Sequence, residues 1–242
     1  MKRHRLHGNG TGTMLKTSVT SFIFALLIIC CAHAKMETYD QAVGLGFNCQ
    51  VAHQLEHNKV RFFAYPFDWC QTPFDSLLAF IANEGKDFLE WGNIYALKPH
   101  HGDPTHLEVV DLVYGITTFH DFLTSPHLGN YVQVKSKYDK RTKRFFDLLK
   151  SNQRVLFIRQ DLSKEQAEYL DEVLHSTYPN LNYTLLVINA TEEYKPSWGL
   201  PRIANFYMEP VADWTGNYSR WTEILSQFSV ARFNHRPLEE VW

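Results

Sequence analysis

A cysteine lies where the sequence changes from a strand-like to a helix-like pattern. The apolar run of residues 42–45 is interrupted by glycines and by Asn48, and a helical pattern then extends over residues 49–57, starting with Cys49. The first turn of a helix presents unpaired backbone N–H groups and the positive end of the helix dipole, which favours the thiolate form of cysteine. The sequence therefore predicts that Cys49 is a nucleophile with a lowered pKa, and that Asn48 or the Cys49 amide helps to hold an oxyanion.

A cysteine nucleophile needs an imidazole that accepts the thiol proton. His120 directly follows a strand-like run, and groups at strand ends often form active sites. Asp68 is the preferred residue for orienting this imidazole, with Asp161 as the alternative. Asp121 is instead expected to cap the following turn, because adjacent side chains usually diverge. The sequence thus predicts a catalytic set of Cys49, His120, Asp68 and Asn48.

Three other interpretations of the same residues stay open. His120 and its neighbour could form a turn with internal hydrogen bonds, and the PFDW segment of residues 66–69 could be a packing anchor. Cys49 and Cys70 are the cysteines that remain after residue 34, and in an oxidising compartment such a pair often forms a disulfide. A disulfide would stabilise the fold and abolish the nucleophile.

A metal site is a weaker possibility. Residues 53–57 spell H-x-x-E-H, the inverted zinc-protease motif, and the spacing places His53 and His57 on one helix face. The helix is expected to stop at Asn58, however, and no downstream glutamate stands out as a third ligand. We therefore expect a solvated helix face, a polar loop in the histidine-rich residues 100–106, and no metal or other cofactor.

Several short motifs occur along the chain after residue 35. They are GLGFNC (residues 44–49), PFDW (66–69), HDF (120–122) and VLFIR (155–159), together with Leu55, Arg61 and Tyr114. These motifs resemble a family of papain-like cysteine peptidase domains of unassigned function from bacteria and some large DNA viruses. The resemblance implies a Cys–His hydrolase. Phe47 departs from the family, where a small or polar residue is expected, and so does Cys70, where an aliphatic residue is expected.

Substrate recognition could involve basic and aromatic side chains. Arg61 and Arg159 each lie within or at the end of a strand-like run, where they could bind a carboxylate, a phosphate or a glycan. Trp69 is predicted as a third residue that contacts the substrate. Further aromatic residues near Trp214 and Tyr218 would suit a glycan- or protein-binding module, although such residues are more often part of a core.

The composition is that of a globular protein with one well-buried domain. Of its 242 residues, 45% are hydrophobic and 14% are aromatic. The net charge is −2, and the first 34 residues carry four basic and no acidic side chains, which leaves −6 for residues 35–242. This charge argues against nucleic acid as the main partner, because phosphate binding depends on clustered lysine and arginine.

The first 34 residues have the pattern of an export signal. Lys16 precedes the apolar run of residues 22–29, and Ala32-His33-Ala34 has the A-x-A form of a cleavage site. The run is short for a membrane span, which needs about 20 residues. We expect cleavage after Ala34 and a secreted or periplasmic domain of residues 35–242. A retained membrane anchor is the alternative, and it would be the only membrane contact.

The second half of the chain alternates between strand and helix patterns. This alternation predicts an α/β fold with a central, largely parallel sheet and helices on both faces. A papain-like α+β fold, which the family resemblance implies, is the alternative. Strands are predicted at residues 60–65, 107–113, 115–118, 154–158, 182–188 and 201–208, and helices at residues 73–82, 135–150, 163–177 and 219–228.

Taken together, the residues predict a cysteine-type hydrolase, either a peptidase or an acyl transferase, that uses a Cys–His pair. Its substrate would be a peptide, an acyl compound or a glycan. A non-catalytic glycan- or protein-binding module on the same scaffold is the alternative, and a zinc-dependent hydrolase is a lesser one. The oligomeric state is not readable from the residues.

Overall fold

The computed structural model describes Met1, residues 38–189 and residues 197–231. The predicted export signal lies outside these residues. Within them the strands are β1 (Thr38–Tyr39), β2 (Gln41–Gly44), β3 (Cys70–Gln71), β4 (Ile94–His100), β5 (Asp103–Asp111), β6 (Thr117–Leu123), β7 (Arg154–Gln160), β8 (Asn182–Asn189), β9 (Ile203–Tyr207) and β10 (Ser229–Val230). The α-helices are α1 (Cys49–His57), α2 (Phe74–Ala82), α3 (Tyr131–Leu149), α4 (Lys164–Thr177) and α5 (Tyr218–Leu225).

A parallel sheet of order β2-β7-β8-β9 forms the centre of the fold. Its register pairs Val43 with Phe157, Phe157 with Leu185, and Leu185 with Ile203. Alternate residues of β7 enter two separate hydrophobic clusters, with Phe157 in one and Leu156 in the other. Both faces are therefore buried, as expected for parallel strands that read as continuous apolar runs. The predicted α/β fold is confirmed.

Helices cover both faces of this sheet. Val51 and Leu55 of α1 and Trp221 of α5 pack in one cluster, whereas Phe145 of α3 and Leu170 of α4 pack in the other. The start of α4 was predicted in detail, because Ser163 and Gln166 form the expected capping box. No helix among the described residues is long and apolar enough to cross a membrane.

A second, antiparallel sheet of order β3-β6-β5-β4 was not predicted as such. The residues expected to form a polar loop at 100–106 are instead the ends of β4 and β5 and the turn between them. Bulges interrupt the pairing of β4 with β5 and of β5 with β6, so the polar–apolar alternation is irregular. These irregularities explain why the sequence pattern does not indicate β4 and gives β5 and β6 shifted bounds.

The strand predicted at residues 60–65 is wrong. The amides of Val60 and Arg61 both donate to the Leu55 carbonyl at the end of α1, at 3.0 and 3.2 Å. The Tyr65 amide donates to the Asp68 carboxylate at 2.9 Å. These backbone groups are thus satisfied locally, so the segment has no need of a neighbouring strand.

Candidate active site

The loop between β2 and α1 places Cys49 as the first residue of the helix. Gly46 has a φ of 78°, and a Cβ there would lie 2.7 Å from Thr72 Oγ1, so only glycine fits. Phe47 follows with a φ of 79°, a conformation that non-glycine residues rarely adopt. Asn48 caps the helix by accepting a hydrogen bond from the Gln50 amide at 2.9 Å. Its side-chain oxygen is therefore used in the cap, while the predicted oxyanion role of Asn48 stays a prediction.

The buried side chain of Arg159 holds the loop between β2 and α1 in place. Its side chain is 1% exposed, and it donates from Nη1 to the Leu45 carbonyl at 2.6 Å and from Nη2 to the Thr72 carbonyl at 2.9 Å. Burial lowers the pKa of Arg159 to about 10. These contacts give Arg159 a structural role, because both terminal nitrogens bond to backbone. They differ from the substrate contact that was predicted for it.

The thiol of Cys49 is free and half-buried, but it is not activated in this arrangement. Burial and, as a smaller contribution, the negative charge of Asp121 raise its pKa to about 12, and a hydrogen bond from its own amide opposes this shift. The sequence prediction of a lowered pKa is corrected on this point. The helix N-terminus does favour the thiolate, but the loss of solvation outweighs it.

His120 lies within β6 rather than after it, and it is the exposed residue of that strand. Its ring stands edge-on to the His100 ring with centroids 4.9 Å apart, and edge-on to the Trp69 ring at 6.1 Å. Burial and the neighbouring His100 lower the pKa of His120. Within the described part of the chain, no hydrogen bond joins the Cys49 thiol to His120. The predicted pair is thus not formed as a hydrogen-bonded pair here.

Trp69 lies between two imidazoles. Its ring is 6.1 Å from the His120 ring and 6.3 Å from the His53 ring, and the Arg61 guanidinium lies 5.8 Å over it. Its backbone has a φ of 65°, which is unusual for a bulky residue and costs roughly 1–3 kcal/mol. His53 is one helical turn after Cys49, so its side chain shares the face of the thiol. From the sequence, His53 was considered only as a metal ligand.

Asp68 does not orient His120. Its Oδ2 accepts hydrogen bonds from Arg61 Nη1 at 3.2 Å and from the Tyr65 amide at 2.9 Å, and the residue is 1% exposed. Burial raises the pKa of Asp68, although Arg61 opposes the shift. Arg61 also binds Glu56 at 2.6 Å. Arg61 and Asp68 therefore form a buried ion pair that fixes the PFDW loop, which includes Trp69. This agrees with the interpretation of the PFDW segment as a packing anchor.

Asp121 is the residue whose position the sequence did not anticipate. It is buried, and its carboxylate accepts a hydrogen bond from Tyr138 at 2.8 Å and pairs with Lys137. The Tyr138 hydroxyl is in turn 3.3 Å from the Cys70 thiol. Strand alternation gives no signal for it, because Asp121 and Phe122 are adjacent and both buried, beside a register shift in the pairing of β5 with β6. The prediction that Asp121 only caps a turn is wrong.

Side chains of the H-x-x-E-H motif bind other residues of the protein. Glu56 binds Arg61, and His53 Nε2 lies 2.9 Å from the Tyr218 hydroxyl. Across residues 38–189 and 197–231, no group of three or more His, Cys, Asp or Glu side chains is arranged to hold a metal ion. Cys49 and Cys70 are both free thiols rather than a disulfide.

An aromatic surface borders the thiol side of α1. Trp214 is 57% exposed, and its ring lies 5.1 Å from the His53 ring. Two glutamines of α1 hold the loop that carries it, because Gln50 donates to the Trp214 carbonyl at 2.8 Å and Gln54 donates to the Thr215 carbonyl at 2.6 Å. Exposed, fixed aromatic rings of this kind suit contact with a peptide or a sugar.

Comparisons with known proteins agree with the sequence motifs. A family model described as "Putative papain-like cysteine peptidase (DUF1796)" matches residues 40–193, which include both Cys49 and His120. An uncharacterized protein of Acanthamoeba polyphaga mimivirus is 28% identical over 177 residues, which is 62% of this chain and 78% of the viral protein. No solved structure matches this chain. The family resemblance is confirmed, and it supports a cysteine hydrolase at the level of the family description.

Proposed function

The chain belongs to the DUF1796 family, and from that premise we propose that it is a cysteine-type hydrolase or acyl transferase with Cys49 as its nucleophile. One observation carries the proposal. Cys49 is a free, partly accessible thiol at the first position of a helix that follows the carboxyl end of a parallel strand. Ligands of open α/β sheets bind at the carboxyl ends of the parallel strands. The other described cysteine, Cys70, is 0% exposed and cannot meet a substrate.

The pKa shifts favour general-base catalysis over a resting ion pair. Burial keeps the Cys49 thiol neutral, and burial together with His100 favours a neutral imidazole at His120. In the proposed first step, the thiol proton moves to an imidazole nitrogen while sulfur bonds to the acyl carbon. The imidazolium then gives this proton to the leaving group. Water, or an acceptor nucleophile, finally cleaves the thioester and restores the thiol.

Two imidazoles are candidates for the base. His120 lies in the antiparallel sheet, and the indole of Trp69 contacts both its ring and that of His53, which is one helical turn after Cys49. His53 is closer along the chain, but its Nε2 contacts the Tyr218 hydroxyl at 2.9 Å. We assign the base to His120, with movement of β6 or of Trp69 on substrate binding bringing it to the thiol. Apo geometries of this kind often tighten only in the substrate complex.

Acyl transfer to the protein tests this proposal. Incubation with p-nitrophenyl acetate should release p-nitrophenolate and add one acetyl group to Cys49, as measured by intact and peptide mass spectrometry. Cys49→Ala should abolish both signals, and Cys70→Ala should retain them. His120→Ala should slow acylation about 10²-fold or more, with His53→Ala as the matched imidazole control. Equal acylation of the native protein and Cys49→Ala would refute the nucleophile.

A binding module is the second candidate, and a specific observation favours it. The thiol has no hydrogen bond to an imidazole among the described residues, while Trp214 and Tyr218, whose rings contact His53, are 57% and 39% exposed. In that case peptides or oligosaccharides should quench tryptophan fluorescence equally in the native protein and in Cys49→Ala, and Trp214→Ala should remove the effect. No acyl-enzyme should form.

We further propose that the domain is exported after cleavage of the N-terminal segment, on the basis of the apolar run and the Ala32-His33-Ala34 sequence. Expression in a bacterium should give a protein that starts at Lys35. Mass spectrometry that finds an intact N-terminus in the membrane fraction would instead favour the retained anchor. The substrate class stays a peptide, acyl compound or glycan, with no nucleic acid partner expected from the acidic domain.

A further inference from the structure

A buried arginine without a counterion lies near the candidate active site. Arg141 belongs to α3, is 5% exposed, and has its guanidinium 5.2 Å over the Tyr138 ring. Within residues 38–189 and 197–231, Arg141 has no hydrogen-bond acceptor and no ion-pair partner. A guanidinium carries several N–H donors, and arginine is almost never buried in a folded protein unless it is paired. The environment of Arg141 therefore lacks an anionic partner.

The carboxylates closest to Arg141 already have cations of their own. Asp121 pairs with Lys137, and Asp68 pairs with Arg61. Both carboxylates act on Arg141 through their charge, but neither accepts a hydrogen bond from it. A buried charge that only distant charges balance is costly, because burial removes the water that would otherwise solvate it.

The guanidinium of Arg141 is charged and open to a small ligand. Burial lowers the pKa of Arg141, but Tyr138 and then Asp121 outweigh burial, so the pKa lies above its ordinary value. Among the described residues, nitrogens that are both sealed from solvent and unpartnered occur in Arg61 and Arg159, but not in Arg141. The small exposed part of Arg141 therefore includes its unpartnered nitrogens.

The segment that begins with Cys70 connects Arg141 to the loop that carries Cys49. The Tyr138 hydroxyl, on the ring that Arg141 covers, lies 3.3 Å from the Cys70 thiol. Two residues further on, the Thr72 amide donates to a carbonyl of the loop between β2 and α1 at 3.2 Å. The pKa of Cys70, which burial raises most, responds to the charges of both Cys49 and Arg141. The guanidinium and the candidate nucleophile thus lie near the same buried thiol.

We propose that Arg141 binds a carboxylate of the substrate, so that Cys49 acts on an acyl compound that carries a carboxylate close to the reacting carbonyl carbon. This inference rests on the proposed role of Cys49 as nucleophile. A guanidinium holds a carboxylate through two parallel hydrogen bonds, which would fix the orientation of the substrate. The Tyr138 ring contacts the face of the guanidinium and leaves the N–H donors at its edge available.

A carboxylate fits this position better than a phosphate monoester does. It carries a single negative charge, which matches the one unpaired guanidinium. A phosphate monoester carries about −1.5 to −2 at neutral pH, and the nearby charges of Asp68 and Asp121 would repel it more strongly.

Thermal unfolding distinguishes this role from a purely structural one. If Arg141 served only to balance the charges of Asp68 and Asp121, Arg141→Met should lower the Tm by about 4 °C or more. We instead expect a Tm equal to or above that of the native protein, because the guanidinium has no hydrogen bond to lose and methionine retains its apolar packing. The larger loss would overturn the inference.

Two pairs of acyl donors test the carboxylate directly. p-Nitrophenyl hydrogen succinate carries it in the acyl part, with p-nitrophenyl 4-methylpentanoate as neutral counterpart. S-acetylthioglycolate carries it in the leaving group, with S-acetylthioglycolamide as neutral counterpart. In one of the pairs, the native protein should form the Cys49 adduct about tenfold faster with the carboxylate, as measured by mass spectrometry. Arg141→Met should remove this preference and Arg141→Lys should keep part of it, whereas Arg202→Met, which breaks a pair with Asp171, should keep it fully.

Binding without acylation is measured in Cys49→Ala. N-acetylglycine should raise the Tm of this variant, the neutral N-acetylglycinamide should not, and the added change Arg141→Met should remove the response. Equal acylation by both members of each pair, or a preference that persists in Arg141→Met, would overturn the carboxylate site and leave Cys49 as nucleophile. Binding of N-acetylglycine to Cys49→Ala without any adduct in the native protein would overturn the nucleophile and leave the carboxylate site.

Discussion

The parallel and antiparallel sheets differ in how firmly they hold the residues they contribute to the candidate site. In the parallel sheet, Val155 to Ile158 of β7 are all 0% exposed, and Cys49 follows the neighbouring strand β2. In the antiparallel sheet, the edge strand β4 is largely exposed, two strand pairs contain bulges, and His120 is exposed. The proposed nucleophile, Cys49, therefore follows a strand of the more buried sheet, whereas the proposed base, His120, lies in the more exposed and irregular one.

Because of this difference, the assembly of the candidate site depends on how the two sheets approach each other. Arg159 links them, because this residue of β7 binds backbone carbonyls that follow β2 and β3. Local unfolding generally starts in regions with few buried contacts, so the antiparallel sheet should open first. The following variants test this difference between the two sheets, in order of decreasing expected effect.

Removal of the Arg159 side chain should weaken the connection between the sheets most. Arg159→Met leaves the Leu45 and Thr72 carbonyls without their donors, and we expect a loss of roughly 2–4 kcal/mol in the free energy of unfolding. Urea denaturation followed by tryptophan fluorescence measures it. Arg202→Met is the control: its pair with Asp171 is partly exposed, so the loss should be about 1 kcal/mol or less. Equal losses would contradict a special role for Arg159.

A side chain at Gly46 should deform the loop that carries Cys49. In Gly46→Ala the new Cβ would combine an unfavourable φ of 78° with a 2.7 Å contact to Thr72 Oγ1, for an expected loss of about 2–3 kcal/mol. Gly199→Ala has a similar φ of 71° but no described atom within 4 Å, so only the backbone cost of about 1 kcal/mol should remain. Thermal unfolding compares the two. If both variants lose the same stability, the contact with Thr72 does not shape the loop.

The charge of Asp121 in the antiparallel sheet should affect the reactivity of the Cys49 thiol at the start of α1. Asp121→Asn removes a negative charge that raises the pKa of Cys49, so the thiolate fraction should increase. We expect iodoacetamide to label Cys49 several-fold faster at mildly alkaline pH. Asp75→Asn, an exposed carboxylate at the start of α2, is the control and should leave the rate unchanged. A rate that does not rise in Asp121→Asn would show that burial alone sets the reactivity of the thiol.

The smallest expected effect concerns His120 and acid. Its pKa is lower in the folded protein than the ordinary 6.5, because of burial and His100, so the folded state binds this proton more weakly than the unfolded state. Its contribution to stability is therefore complete above pH 6.5 and is lost as the pH falls through the folded pKa. His120→Gln should reduce that loss in the free energy of unfolding by less than about 1 kcal/mol. A pH profile of stability that is the same in His120→Gln as in the native protein would contradict the assignment.

The sequence by itself determined the elements whose signals are local. The apolar run of β7, the helix that begins at Cys49 and the capping box of α4 follow from strand and helix patterns within a few residues. The family followed from short motifs for the same reason. The parallel sheet was predictable because its strands are buried on both faces and read as uninterrupted apolar runs.

Only the tertiary structure decided the electrostatics and the pairing of distant residues. The dipole of α1 is a local property, but the segments that exclude water from Cys49 come from elsewhere in the chain, and their effect on its pKa is the larger one. Likewise, the Asp121 carboxylate binds Tyr138, 17 residues away in the chain, and Arg159 binds the Leu45 carbonyl, 114 residues away. Solvation and hydrogen-bond partners depend on residues that fold together from far apart, so no local pattern encodes them.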